Sequence, residues 1–248
     1  MPGQRRGRGL DGRDSDDGEI IFMFWTLLLC HFLADYVLQT EAIVRAKKRL
    51  PGLLLHAWIH LLTMLVLVVG LLGADARMAL PWIVTLAAVH FVIDLWKNVL
   101  ANLKPGWVIF GYLQDQVLHL FSILLVAYGM ELSGGPPMFI IERSWVIPAT
   151  AFVLVTHTWF ITERILAHED ASYQTWVSAQ SWTRMVGRAL MYSGFLAGWN
   201  LWGLLMILGG LTYHYLDLAG AYRFRALLAD ACVVAAVAAL SRWALVAG

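Results

Sequence analysis

A chain of 248 residues that is 60% hydrophobic and only 14% charged, with a mean hydropathy of +0.67, falls outside the range of a soluble domain and reads as a multi-pass membrane protein. Its net charge of +1 lacks the basic surplus that would draw it to nucleic acid. Two cysteines, Cys30 and Cys232, both within apolar runs, make neither a disulfide framework nor a zinc knuckle.

Residues 1–19 carry four arginines and five acids without an apolar run, and are expected to form a solvated, disordered tail rather than a signal peptide. Seven apolar runs follow, at residues 20–38, 53–73, 80–100, 108–130, 145–165, 189–210 and 226–246. Each approaches the roughly 20 residues needed to cross a hydrocarbon core. None alternates like a barrel strand, so the expected fold is all-α and integral to the membrane, with about seven transmembrane helices. Six spans plus an interfacial helix is the alternative, because residues 171–188 are mixed and partly amphipathic. The turn signal "GGPP" at Gly134 to Pro137 divides a core, residues 20–131, from accessory helices, residues 132–248.

Alternation places three basic connections on one side: Arg45, Lys47, Lys48 and Arg49; Lys97 and Lys104; Arg164, Arg184 and Arg188. The positive-inside rule makes that side cytoplasmic, with Arg77, Arg143, Arg223 and Arg225 expected opposite.

The first four spans each carry one ionisable pair at i, i+4: His31 and Asp35, His56 and His60, His90 and Asp94, Asp115 and His119. That spacing stacks both side chains on one helical face, about 6 Å apart along the axis. Each residue of the first two pairs recurs 59 positions later, with aspartate replacing histidine once, at Asp115. The four helices therefore read as a duplicated helical hairpin forming a four-helix bundle. Because successive helices reverse direction, all eight groups fall at similar depth, near the face with the basic loops.

A single His/Asp pair in a membrane more often satisfies itself or a neighbouring helix. Four pairs ask for a shared partner, since an aspartate at helix centre costs about 2.5–3.5 kcal/mol to insert. Inward side chains of a four-helix bundle are how dinuclear metal centres are built. Five histidines and three aspartates suit one or two divalent ions, zinc first, with manganese or iron as alternatives. Lys47 and Lys97 are placed to meet an anionic head group, and Gln39 and Gln116 to orient ligands or substrate.

The strings "HFLADYVLQTEAIVRAKK", "LLLHAWIH", "HFVIDLWK" and "DQVLH" resemble an uncharacterised bacterial family of integral membrane proteins, over about residues 20–125. More loosely, the polar spans resemble those of membrane-bound metal-dependent hydrolases. The resemblance implies a bacterial inner-membrane protein. The function expected is hydrolysis of an ester, phosphoester or amide in a lipid-linked substrate at the cytoplasmic face. A divalent-metal or proton transporter is the alternative, and a scaffold with a structural metal the third reading. No catalytic residue stands apart from the ligand set, and the oligomeric state is open.

The second half offers less. His157, Glu163, His168, Glu169 and Asp170 straddle the end of the fifth span and are expected to be mostly solvated. His214 and Asp217 are expected on the side opposite the metal residues. Gly194 and Gly198, spaced G-x-x-x-G, are expected to let two helices approach closely.

Overall fold

An apolar chain in lipid has to satisfy its backbone within each segment, and every regular element among the described residues is a helix. The computed structural model describes residues 13–71, 73–134, 145–217, 220 and 222–247. Residues 1–12 and most of the "GGPP" turn lie outside the described residues. Helix α1 (Arg13–Phe32) begins within the stretch read as a polar tail and continues through a π-helical segment, Leu33–Val37.

A short interfacial helix, α2 (Glu41–Ala46), follows, capped by Thr40, whose hydroxyl accepts from the Ile43 amide. α3 (Leu50–Met64) starts with Pro51 in its first turn and runs into a second π segment, Leu65–Leu71. α4 (Ala76–Leu103) is capped by Asp75, and α5 (Val108–Leu132) follows a tight connection. The next span is composite: α6 (Val146–Val153), a π segment (Leu154–Thr158) and α7 (Trp159–Leu166). α8 (Ala171–Ala179), α9 (Ser181–Ala197), α10 (Leu201–Asp217) and α11 (Arg223–Ala247) complete the described chain.

Among the described residues, six helices are long and apolar enough to cross a membrane: Ile20–Val37, Leu50–Leu71, Ala76–Leu103, Val108–Leu132, Val146–Leu166 and Arg223–Val246. The chain is thus an all-α integral membrane protein. α1, α3, α4 and α5 form a ring in which α1 packs on α3 and α5, and α4 on both of those. α6 packs on the outer side of α1 and joins α9 and α11 in a second group. Phe22, Leu27, Met64, Ile83, Ile123 and Met130 fill the interior of the first group. Its outer surface exposes Trp58, Leu62, Val66, Val84, Val92 and Phe121, as a lipid-facing surface requires.

The run at residues 189–210 is not a seventh span. α9 stops at Gly198, whose φ of 87° belongs to the left-handed region, and α10 turns back as the second arm of a hairpin. Asn200 caps the returning arm by accepting from the Gly203 amide at 2.8 Å. A Cβ on Gly194 would sit 2.6 Å from the Gly203 carbonyl oxygen, and one on Gly210 2.8 Å from that of Gly187, so only glycine lets the arms touch. Gly194 and Gly198 therefore divide the labour: one lies in the helix contact, the other makes the turn.

The hairpin tip reaches α11 near its end, where the Arg242 guanidinium donates to the Phe195 carbonyl at 2.7 Å. Its open end returns to the face bearing α8, where Arg225 stacks 4.9 Å over the Tyr173 ring. Arg223 and Arg225, expected on the opposite side, thus share a face with the basic connections. The reason is the extra reversal at Gly198, which no alternation of seven straight spans contains.

Candidate metal centre

Helix direction sorts the eight predicted residues into two layers. α1 and α4 run toward the basic face, so Asp35 and Asp94 lie one turn nearer that face than His31 and His90. α3 and α5 run away from it, so His56 and Asp115 lie nearer than His60 and His119. The outer layer is Asp35, His56, Asp94 and Asp115; the inner layer is His31, His60, His90 and His119. One residue of each layer comes from each helix of the ring.

The structure brings all eight together. His56 Nε2 lies 2.8 Å from Asp35 Oδ1 and 3.2 Å from His60 Nε2, and His60 Nε2 lies 3.2 Å from the same Asp35 oxygen. In the inner layer the rings of His60 and His90 stack at 3.5 Å, those of His90 and His119 at 4.2 Å, and His31 lies 4.8 Å from His119. Three overlapping groups have mutually close ligand atoms and can hold a metal ion: Asp35 with His56, His60 and His90; His31 with His90 and His119; Asp94 with Asp115 and His119.

The outer layer is drawn together at hydrogen-bond distances, whereas the distances of the inner layer fit ligation better. The buried Nε2 atoms of His31, His90 and His119 have no hydrogen-bond partner; their nearest carboxylate oxygens stand 3.4, 3.4 and 3.3 Å away. That is long for a charge-assisted hydrogen bond. It matches two donors on one tetrahedral cation, because ligands about 2.0–2.1 Å from zinc stand about 3.3–3.4 Å apart. Unsatisfied imidazole nitrogens, buried and aimed at one another, are costly unless a cation takes their lone pairs.

Above the outer layer lies an open cleft of about 610 Å³, with Asp35, Asp94 and Asp115 on its floor and Lys48 and Arg164 on its walls. Lys47, Lys97, Gln39 and Gln116 also line it. Lys47 Nζ lies 2.8 Å from Asp94 Oδ2 and donates to Gln39 Oε1 at 2.9 Å, while the Gln39 amide donates to the Asp35 carbonyl. Lys97 Nζ lies 2.6 Å from Asp115 Oδ2, and Gln116 Nε2 donates to that oxygen at 3.1 Å. Lys47, Lys97 and Gln116 hold carboxylates, and Gln39 braces Lys47, as well as facing the cleft.

Tyr36, Tyr112 and Asn98 were not singled out from the sequence. Tyr36 donates to Gln116 Oε1 at 2.8 Å and lies 3.2 Å from the Tyr112 hydroxyl, which lies 2.6 Å from Thr162 on α7. Asn98 ties the Lys47 carbonyl to α4 at 2.7 Å. Tyr112 stands three residues before Asp115, on the same helical face, and that spacing was the available signal.

A second buried polar group was also missed. Asp230 of α11 receives Arg184 in a bidentate pair at 2.8 and 2.7 Å, Arg188 at 2.9 Å and the Trp159 indole at 3.0 Å. His214 Nε2 stands 2.9 Å from it. Arg184 also meets Glu163 at 2.6 Å, and Arg188 donates to the Thr156 carbonyl, inside the π segment where α-helical pairing is interrupted. Burial and the neighbouring Glu163 carboxylate push the Tyr173 hydroxyl up to about 12, so it donates to Glu163 at neutral pH. Glu163 is therefore a buried partner rather than solvated, His214 is buried toward the basic face rather than on the side opposite the metal residues, and Arg184 and Arg188 belong to the packed interior rather than a loop. His214 reaches Asp230 because the hairpin carries α10 back to α11. The arginine pair at i, i+4 and the lone aspartate inside an apolar run were the legible signs.

No curated protein and no solved structure matches the chain. Residues 23–147 match the profile of a family described as "Protein of unknown function (DUF3307)", a segment that contains all eight cluster residues, and the chain belongs to that family.

Proposed function

We propose that this DUF3307 member is a metal-dependent hydrolase of the bacterial inner membrane, acting on an anionic, lipid-linked ester, phosphoester or amide at the cytoplasmic face. The observation that supports this reading is one-sidedness. The cleft reaches the cluster carboxylates from the basic face, whereas Leu27, Met64, Leu86 and Ile123 close the imidazoles off from below. A transport pathway needs polar groups continuing to the far side; beyond the histidines the interior is mainly apolar, with Phe22, Met23, Ile83, Val126 and Met130, and the hydroxyls of Thr26, Thr63 and Ser122 there donate to backbone carbonyls of their own helices. The face itself is the one the basic loops occupy, now joined by Arg223 and Arg225, which supports a cytoplasmic assignment.

A divalent cation held by these residues would lower the pKa of a coordinated water and polarise a phosphoryl or acyl oxygen. The chain's own groups do the rest. Lys47 and Lys97, paired with cluster carboxylates, present ammonium groups to an anionic substrate in the cleft. Tyr36 and Tyr112 place hydroxyls in the same space, where they can donate to a leaving oxygen. Val44, Ile161 and Ile165 supply an apolar wall suited to acyl chains.

The test is elemental analysis and turnover of an anionic phospholipid in mixed micelles by the detergent-purified chain, beside His56→Ala and His90→Ala. Bound metal and turnover that both fall at least 100-fold in the variants support the reading. Equal, near-zero metal content in all three proteins overturns it. So does metal uptake into proteoliposomes that is lost in His60→Ala, which would make the protein a transporter.

A further inference from the structure

We propose that the centre consists of two stacked sites of unlike chemistry: a deep imidazole site with a permanently held borderline ion such as zinc, and a shallow carboxylate site with an exchangeable, harder ion such as manganese. The inference rests on reading the cluster as a metal centre and adds the number and class of its ions.

Two cavities carry it. His31, His60, His90 and His119 line a void of about 10 Å³, floored by Leu27, Met64, Leu86, Ser122 and Ile123. A space of that size holds a single ion or one water. No carboxylate lines it. The cleft above is lined by Asp35, Asp94 and Asp115 and by no histidine. Nitrogen donors thus predominate at depth and oxygen donors toward the cleft, with His56 in the outer layer and carboxylate oxygens 3.3–3.4 Å from the inner Nε2 atoms at the boundary between the tiers.

Donor type sets ion preference. Imidazole favours zinc and its borderline neighbours, whereas carboxylate and water favour manganese or magnesium. Access sets exchange. The void has packed apolar side chains on its membrane side and the outer layer on its cleft side, so an ion there leaves only when the bundle opens. The carboxylate floor faces the open cleft, where chelators and substrate phosphates reach it. The buried, unpartnered Nε2 atoms of His31, His90 and His119 are close enough together to take one ion of their own, and His90 and His119 also stand near the carboxylates of the shallow tier. His56 and His60 join the two tiers through their 3.2 Å Nε2 contact.

The experiment uses the full chain in detergent, loaded with zinc and manganese, washed, and measured by elemental analysis before and after a chelator challenge. The expected result is two ions per chain at first, one zinc after the challenge, and manganese restored on readdition with its paramagnetic resonance signal. Asp94→Asn should abolish that signal and keep the zinc. His119→Gln should lose the retained zinc; circular dichroism and elution profile report whether it has folded, and the aspartate arm stands without it. Two ions leaving at one rate overturn the two-tier arrangement while leaving a metal centre. So does a single ion that both variants remove. No metal in the wild-type chain overturns the metal reading as well.

Discussion

Among the described residues two buried polar clusters stand out, and they solve the same problem in opposite ways. In the accessory half, Asp230 and Glu163 meet two guanidinium groups at hydrogen-bonding distance, so the charges arrive with their counter-charges attached. In the core, three carboxylates and five imidazoles converge with only two ammonium groups at the edge, and inner-layer nitrogens remain unsatisfied. The arginine cluster carries its counter-charges within the protein and holds helices together, although the Nδ1 atom of buried His214 has no partner there. The histidine cluster gathers ligand atoms that could hold a cation. Burial of charge is therefore no sign of function by itself; the convergence of ligand atoms on one point is.

The sharpest break in this comparison comes from Asp230→Ala, which leaves Arg184 and Arg188 buried without their common partner and should cost about 3–5 kcal/mol, read as a lower unfolding midpoint in detergent. Chelation should act on the other cluster: a cation at 100-fold its Kd contributes about 2.7 kcal/mol, lost on its removal. The decrement should be the same in Asp230→Ala and wild type, and a departure from additivity would show that the clusters are coupled. Gly203→Ala places a Cβ 2.1 Å from the Gly198 carbonyl oxygen and should destabilise the hairpin by about 1–3 kcal/mol, with metal content unchanged. The exposed Arg45–Glu41 pair at 3.3 Å marks the lower limit, with Arg45→Ala expected to cost about 0.5 kcal/mol or less.

The two clusters also differ in how far the sequence discloses them. The core residues repeat at i, i+4 within helices and again across the two hairpins, so pattern alone brings them to one place. Glu163, Arg184, Arg188, His214 and Asp230 come from four helices and, apart from the i, i+4 arginine pair, follow no period; only the fold makes them neighbours. The hairpin was hidden for another reason. Phe195, Leu196, Trp199, Leu201 and Trp202 surround its turn, and an apolar average over residues 189–210 cannot register one backbone angle at Gly198. The boundaries of the other six spans were legible to within a few residues, since length and apolarity alone decide them. The cleft was not, because an opening depends on how α2 and α7 sit against the bundle.

The π segment at Leu33–Val37 has no counterpart in α4, which stays α-helical from Ala76 to Leu103. Asp35 sits on the widened turn and its Oδ1 lies within 3.9 Å of the Nε2 atoms of His56, His60 and His90, whereas Asp94 is drawn toward Lys47 at the rim. One local change of winding thus breaks the equivalence of two matching halves. Transplanting the α4 version of this stretch into α1 would restore the pseudo-symmetry and strip the bundle of the oxygen that three imidazoles share.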